Sequence, residues 1–301
     1  MKLKTNGVAA MSRFNLLSKA SMRPTIGRAT PLRMMLAACS LFMIVTGERA
    51  TAADWPLRGT VDPGYVRWDG WQFGVLAGYG NMNVDFGNST SSLVAFVLRN
   101  STLEAEGAPS TWTTLPKKST NGPIFGAFLA YNWQWSELVL GADLYYKRPS
   151  TLQASTGDSL RRTFDTSDNI QHDVTISGQS SFKLVDYAEL RGRAGYAFGP
   201  FLPYAAIGIA VGRFNYSTTV TVTDSQTLLP LPGTFLGTFQ QAASAGQNNA
   251  FTAGFAAALG VDWALTPSVF LRGEWEYVAF AALNQTRSNI QVGQLGIGVR
   301  F

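Results

Sequence analysis

From Trp68 to the C-terminal Phe301 the chain alternates, residue by residue, between apolar and small or polar side chains in eight separate stretches. Successive side chains on a β-strand point to opposite faces, so each stretch predicts a strand with one greasy face. The first sets Trp71, Phe73, Val75, Ala77 and Tyr79 against Gln72, Gly74, Leu76, Gly78 and Gly80. Phe125, Leu129 and Trp133 mark the second; Leu138, Leu140, Leu144 and Tyr146 the third; Ala188, Leu190, Ala194 and Tyr196 the fourth. A fifth runs from about Leu202 to Tyr216 with both sides apolar or small, which leaves its facing open. Phe251, Phe255, Leu259 and Trp263 carry the sixth; Leu271, Trp275 and Tyr277 the seventh; Leu295, Ile297, Val299 and Phe301 the last. No run of about 18 apolar residues lies past the N-terminal region, so membrane-spanning helices are not expected.

The connections alternate in length. Ser136-Glu137, Gly199-Pro200 and Leu265-Thr266-Pro267-Ser268 are short, whereas 81–122, 148–181 and 217–248 read as long loops, with a shorter one near 281–288. Short turns on one side and long loops on the other predict an all-β chain: an eight-stranded antiparallel up-and-down transmembrane β-barrel with long extracellular loops and short periplasmic turns. Each apolar half-face is about nine to eleven residues long, as a tilted strand crossing hydrocarbon requires. Aromatics gather near the strand ends, Trp71, Trp133, Trp135, Trp263 and Phe301 towards the short turns and Tyr79, Phe125, Tyr146, Phe251 and Tyr277 towards the long loops. Such pairs of girdles sit at membrane interfaces. A soluble lipocalin-type barrel would place its grease inside.

The net charge of +5 misleads. Residues 1–52 hold eight of the basic groups and a single acid, Glu48, which leaves 16 basic against 18 acidic groups in the rest. Nucleic acid is therefore not an expected partner. The segment 1–52 has the three parts of a secretory signal: a basic region ending at Arg33, an apolar run from Met34 to Val45, and small residues at Ala50 and Ala52 for cleavage. Residues 53–67, with Pro56 and Pro63, read as an extended segment before a barrel over 68–301. Cys39 is the only cysteine; cleaved with the leader it leaves no thiol for disulfides or metal, whereas a lipoprotein-type cleavage before it would make it the lipidated first residue.

Charge segregates to the face opposite the grease. Asp143, Glu189, Asp262, Glu274 and Glu276 share that face with Lys147, Arg191, Arg193, Arg272 and Arg300. An eight-stranded barrel has an interior just wide enough for side chains to fill, and buried charges must be paired. A lumen salt-bridge network is the expectation, with a gated narrow pore as the sharper alternative. Catalysis is not expected: the lone His172 sits in the second long loop as a solvated residue, and Glu274 with Glu276 more simply neutralise arginines than form an acid–base pair. No metal-ligand cluster, nucleotide fingerprint or cofactor motif is present, so no metal and no cofactor are expected. The glycines of Gly208-x-x-x-Gly212 and Gly293-x-x-Gly296-x-Gly298 permit close backbone approach, and the sequons at Asn88, Asn100 and Asn284 are read as chance matches. Two loops hold apolar runs, Ser91 to Leu98 and Leu228-Leu229-Pro230-Leu231-Pro232 with Phe235 and Phe239. These read either as hairpins packing together above the membrane or as a contact surface for host or small ligands.

With the strands placed, residues 68–301 resemble the small porin-like outer-membrane barrels of alphaproteobacteria, relatives of the OmpA transmembrane domain and of opacity-type adhesins. Trp68-Asp69-Gly70-Trp71, Gly78-Tyr79-Gly80, Gly141-Ala142-Asp143, Leu190-Arg191-Gly192-Arg193-Ala194-Gly195-Tyr196 and Leu271-Arg272-Gly273-Glu274-Trp275 carry the likeness. The ending Leu295, Ile297, Val299 and Phe301 looks like the signal read by the outer-membrane insertion machinery. The resemblance implies export through the general secretory pathway to the outer membrane of a Gram-negative cell. The partners it implies there are outer-membrane lipid, lipopolysaccharide and that machinery. Members of the family serve as envelope components, surface antigens, pores or adhesins.

Overall fold

The computed structural model describes residues 66–112 and 115–301. The leader over 1–52, its cleavage residues Ala50 and Ala52, and the extended segment as far as residue 65 lie outside the described residues.

Nine strands form one antiparallel sheet: β1 (Gly70–Asp85), β2 (Lys118–Trp135), β3 (Leu138–Pro149), β4 (Gln153–Asp165), β5 (Ile170–Tyr196), β6 (Phe201–Leu228), β7 (Phe235–Ala264), β8 (Val269–Leu283) and β9 (Thr286–Arg300). β1 pairs with β9 from Gln72↔Arg300 to Asp85↔Arg287. On the other side β5 takes β3 along Tyr187 to Tyr196 and β4 along Gln171 to Lys183. β3 and β4 are thus one stave broken at residues 150–152, and the ring has eight staves. The break follows Pro149, which has no N–H to donate. Opposite it, β5 carries a bulge between Leu184 and Asp186. A bulge inserts one residue and so exchanges the two faces. Below it Tyr187, Glu189, Arg191 and Arg193 point inward; above it Val174, Ile176, Phe182 and Leu184 do.

The facing of β6 is fixed by its burial: Leu202, Tyr204, Ala206, Ala210 and Phe214 lie inside, while Ile207, Ile209 and Val211 are exposed on the outer belt. Outward apolar side chains end near Arg148, Lys183, Arg213 and Asn249. Beyond that line the outer positions of β6 are Asn215, Ser217, Thr219, Thr221 and Thr223. The switch marks where hydrocarbon gives way to water.

The long loops differ from the sequence reading. Residues 148–181 are the end of β3, all of β4 and the first half of β5, and 217–248 belong largely to β6 and β7. Only 229–234 separate β6 from β7. β4 and the outer parts of β5 to β7 form a blade past the membrane, and in β5 and β6 the alternation persists there with Thr and Ser outside and Val and Ile inside. The first loop is helical, with α1 (Ser91–Val97) and α2 (Thr102–Gly107). Its apolar run is not an exposed patch: Val94, Leu98 and Leu103 pack on Val174, Ile176, Val220 and Val222 of the blade. The connection near 281–288 is a tight turn in which Asn284 and Gln285 both have positive φ, 47° and 62°, as two-residue type I′ hairpins require.

The lumen is layered. Along β8, Phe270 belongs to a lower apolar cluster with Trp68, Phe128 and Leu202, and Val278 and Phe280 to an upper one with Met82, Phe182 and Phe214. Arg272, Glu274 and Glu276 lie between. These rings fit because glycines face them: a Cβ on Gly74 would lie 2.5 Å from the Phe128 ring and 2.5 Å from the Ile297 carbonyl oxygen. Gly74→Leu is expected to cost about 1–3 kcal/mol by overpacking. Gly192→Ala, whose added carbon meets nothing within 4 Å, is expected to stay within about 0.5 kcal/mol of the parent. Urea unfolding in detergent micelles, read by heat-modifiable gel migration, compares the two.

Candidate functional site

The register brings the charged groups together before any side chain is considered. Asp262 stands opposite Arg272 on β7 and β8, and Asp143 opposite Arg191 on β3 and β5. Glu274 and Glu276 follow two and four residues after Arg272, so all three face inward. Asp143, Glu189, Arg191, Arg193, Asp262, Arg272, Glu274 and Glu276 are all buried in one network, together with Lys147.

Arg191 forks onto Glu274 with bonds of 3.0 and 2.9 Å and reaches Glu276 at 3.2 Å. Lys147 donates to Glu276 and lies 3.5 Å from Glu189. Arg272 forks onto Asp262 with two bonds of 2.7 Å, and Arg193 donates to the same carboxylate at 3.1 Å. Asp143 stands 3.5 Å from Arg193 and 3.9 Å from Arg191. Bidentate guanidinium–carboxylate pairs are the strongest of these contacts, and they also fix geometry.

Neutral side chains also join the network, and sequence reasoning passed over them. Tyr204 and Gln294 both donate to Glu274, at 2.6 and 2.5 Å. Gln72 accepts from Arg193 at 3.0 Å, Asn132 accepts from Arg193 at 3.0 Å, and the Tyr145 hydroxyl accepts from Arg272 at 2.6 Å. Arg191 also lies 4.0 Å over the Tyr145 ring, and Arg272 4.2 Å over Phe128. Each of these residues occupies an inward position of its strand, so the alternation that located the charges could have found them too.

Arg300 does not join. It is inward but at the periplasmic rim, where it donates to the Pro267 carbonyl at 2.6 Å and lies 4.5 Å over Trp68, holding the 265–268 turn rather than an acid. His172 also departs from expectation. It sits on β5 rather than in a solvated loop, only 3% exposed, with Nδ1 2.8 Å from the Asp224 carboxylate and its ring stacked on Phe164. The blade buries it because the residue faces inward, above the bulge. Among the described residues no group of three or more His, Cys, Asp or Glu could hold a metal ion.

Leu295, Ile297 and Phe301 lie exposed on the outer face of β9, and Val299 shares that face. Phe301 closes the ring by exchanging two 3.1 Å backbone bonds with Trp71. At the water line, Asp186 accepts from Arg213 at 3.0 Å and from the Tyr146 hydroxyl at 3.0 Å on the outer face.

Removing one partner of a buried pair leaves an uncompensated charge, which costs about 3–5 kcal/mol. Arg191→Ala is expected to lower stability by that order, since it removes the cation paired with Glu274 and leaves Glu276 to Lys147 alone. Arg161→Ala, which breaks an exposed pair with Asp173 on the blade, should leave the urea midpoint where it was. Equal midpoints for the two variants would mean that the lumen pairs do not hold the barrel.

Solved structures of other proteins align with most of this chain at low identity. Ail, the attachment invasion locus protein of Yersinia pestis, aligns at 12% identity over 77% of this chain and 99% of its own, with a TM-score of 0.28. Neisserial surface protein A aligns at 14% identity over 76% and 97%, with a TM-score of 0.31. OprG from Pseudomonas aeruginosa aligns at 11% identity over 79% and 98%, with a TM-score of 0.33. A search of curated protein sequences finds no match. The family described as Outer membrane protein beta-barrel domain matches residues 65–301. The chain belongs to that family, and is a β-barrel protein of the Gram-negative outer membrane.

Proposed function

We propose that the barrel is a sealed anchor, and that the protein acts as an envelope and surface component by presenting its blade rather than by catalysis or conduction. One observation carries the reading: the ionic layer of the lumen lies between two apolar clusters. Trp68 is fully buried in the lower one, and Phe182, Phe214 and Phe280 fill the upper. A gated pore would need a wetted path past both, and exchange of partners within the ionic layer opens neither. In planar bilayers the protein is expected to be silent, and Arg191→Ala silent as well, because both clusters survive the change. Discrete channel openings from the parent protein would overturn the reading.

The proposed partners follow from the outer surfaces. The belt meets outer-membrane lipid and lipopolysaccharide, and Leu295, Ile297, Val299 and Phe301 present the alternation offered to the insertion machinery. The kinship with alphaproteobacterial porin-like barrels and opacity-type adhesins rests on the motifs from Trp68 to Trp275 quoted above.

A second reading, adhesion or ligand binding through the blade, is favoured by its tip. Leu228, Leu231, Phe235, Leu236 and Phe239 are all exposed there. Exposed apolar clusters of this kind tend to mark contact surfaces. Deleting residues 229–234 and joining β6 to β7 with Asn-Gly should lower attachment of expressing cells to host cells while leaving the gel shift of the folded barrel intact. Unchanged attachment would remove the tip from the reading.

A further inference from the structure

We propose that the blade holds a binding site for an uncharged saccharide, built on His172 and Asp224. This deepens the reading of the blade as a contact surface and rests on it. A cavity of about 520 Å³ lies between the segment joining α1 to α2 and the inner face of β5, β6 and β7. Pockets that take small molecules span about 300–1,000 Å³. Its lining includes His172, Asp224, Gln226, Asp168, Gln241 and Phe239.

The hydrogen-bond arrangement states what is missing. The Asp224 carboxylate accepts from His172 Nδ1 at 2.8 Å and from Gln226 Nε2 at 2.7 Å. A carboxylate can only accept, so Nδ1 donates this bond and Nε2 is the ring nitrogen left without a partner. Nε2 of His172 and Oδ1 of Asp224 are both buried, and neither has a hydrogen-bond partner. Buried polar atoms are ordinarily paired, since an unpaired one costs free energy. An unpaired carboxylate oxygen and an unpaired ring nitrogen suit a ligand whose groups both donate and accept.

The charge at the site narrows the class. Asp168, another lining residue, accepts from the Thr102 hydroxyl at 3.2 Å and from Thr166, and these bonds, the Thr166 one foremost, hold its carboxyl below the usual range. The carboxyl groups of Asp168 and Asp224 in one lining disfavour phosphate, sulfate and carboxylate ligands. Hydroxyls can donate to both and can donate to or accept from Nε2. Gln226 and Gln241 add amides that both donate and accept, and Phe239, half exposed, offers an aromatic face to the C–H side of a sugar ring. A hydrolase would instead need a nucleophilic hydroxyl bonded to Nε2. None is present among the described residues.

His172 is the only histidine in the chain, so its imidazole nitrogens can be followed alone by nuclear magnetic resonance in the full mature protein, without a histidine tag, in detergent micelles. The probes are methyl glucoside, methyl galactoside, methyl mannoside and N-acetylglucosamine, each titrated to about 50 mM, with inorganic phosphate and sulfate alongside. At least one sugar is expected to shift the Nε2 resonance saturably, and the two anions to leave it in place. Asp224→Asn and Phe239→Ala should each weaken binding about tenfold or more; Phe239 is exposed, so its variant keeps the fold. A Nε2 signal that no sugar moves, that the anions move equally, or that responds to sugar with unchanged affinity in Phe239→Ala would overturn the site. A silent barrel that binds no sugar refutes the site alone, whereas a conducting barrel that binds sugar refutes the anchor alone.

Discussion

Everything in this fold depends on closure of the backbone ladder. In hydrocarbon an unpaired N–H or C=O has no water to turn to, so a spanning sheet can have no edge. β1 and β9 remove the edge, with the Trp71–Phe301 pair at the periplasmic end as the last rung. Once the ring is shut at eight staves its interior volume is set, and what lines it is decided by alternation alone. The inward glycines follow from that limit. With Phe128, Phe270, Phe280 and Tyr204 all inside, the residues opposite them have room for hydrogen and little else.

One extra residue on β5 reconciles two demands that a regular strand could not meet. In the membrane the strand must turn Glu189, Arg191 and Arg193 inward; in the blade it must turn Val174, Ile176 and Phe182 inward. The first set is odd-numbered and the second even-numbered. An unbroken pleat would expose one of them, either arginines to lipid or valines to water. The bulge at Leu184 and Asp186 changes parity at the level where the outer surface changes solvent. The neighbouring stave breaks at the same level, between Pro149 and Gln153, so the ladder absorbs the irregularity on both sides. The residue displaced to the outside there, Asp186, is held by Arg213 and Tyr146.

The membrane half of this architecture was legible because lipid demands an apolar outer face, and Trp71 to Tyr79 or Leu138 to Tyr146 display it in single letters. The blade obeys the same period with a different contrast. Ser217-Thr218-Thr219-Val220-Thr221-Val222-Thr223 alternates as faithfully as Phe251 to Trp263, but its outward residues are hydroxyls. A search for grease against polarity therefore reads it as loop. The charged layer was visible by elimination, since charges on spanning strands have only the inside to occupy. The apolar clusters above and below it were not, because Phe128, Phe214 and Phe280 share their strands with outward grease and only parity distinguishes them. Parity fails as a guide wherever a bulge intervenes, which is why the burial of His172 could not be read from the pattern of Arg191 and Arg193.

The two halves also differ in how their polar atoms are used. In the lumen, each guanidinium is tied by two or more partners, and the aromatic rings above and below keep water from competing with those bonds. Such a network specifies a shape and leaves little to offer a ligand. The blade stands in water, where barrel closure no longer dictates which polar groups must pair. There the chain retains a histidine and a carboxylate that satisfy each other on one side and nothing on the other. A buried polar atom without a hydrogen-bond partner costs stability, in the blade as in the lumen, where both oxygens of Asp143 also lack one. In the blade that cost falls on two residues that line a cavity of about 520 Å³, where an occupant could offset it, whereas the lumen atoms are sealed between aromatic layers.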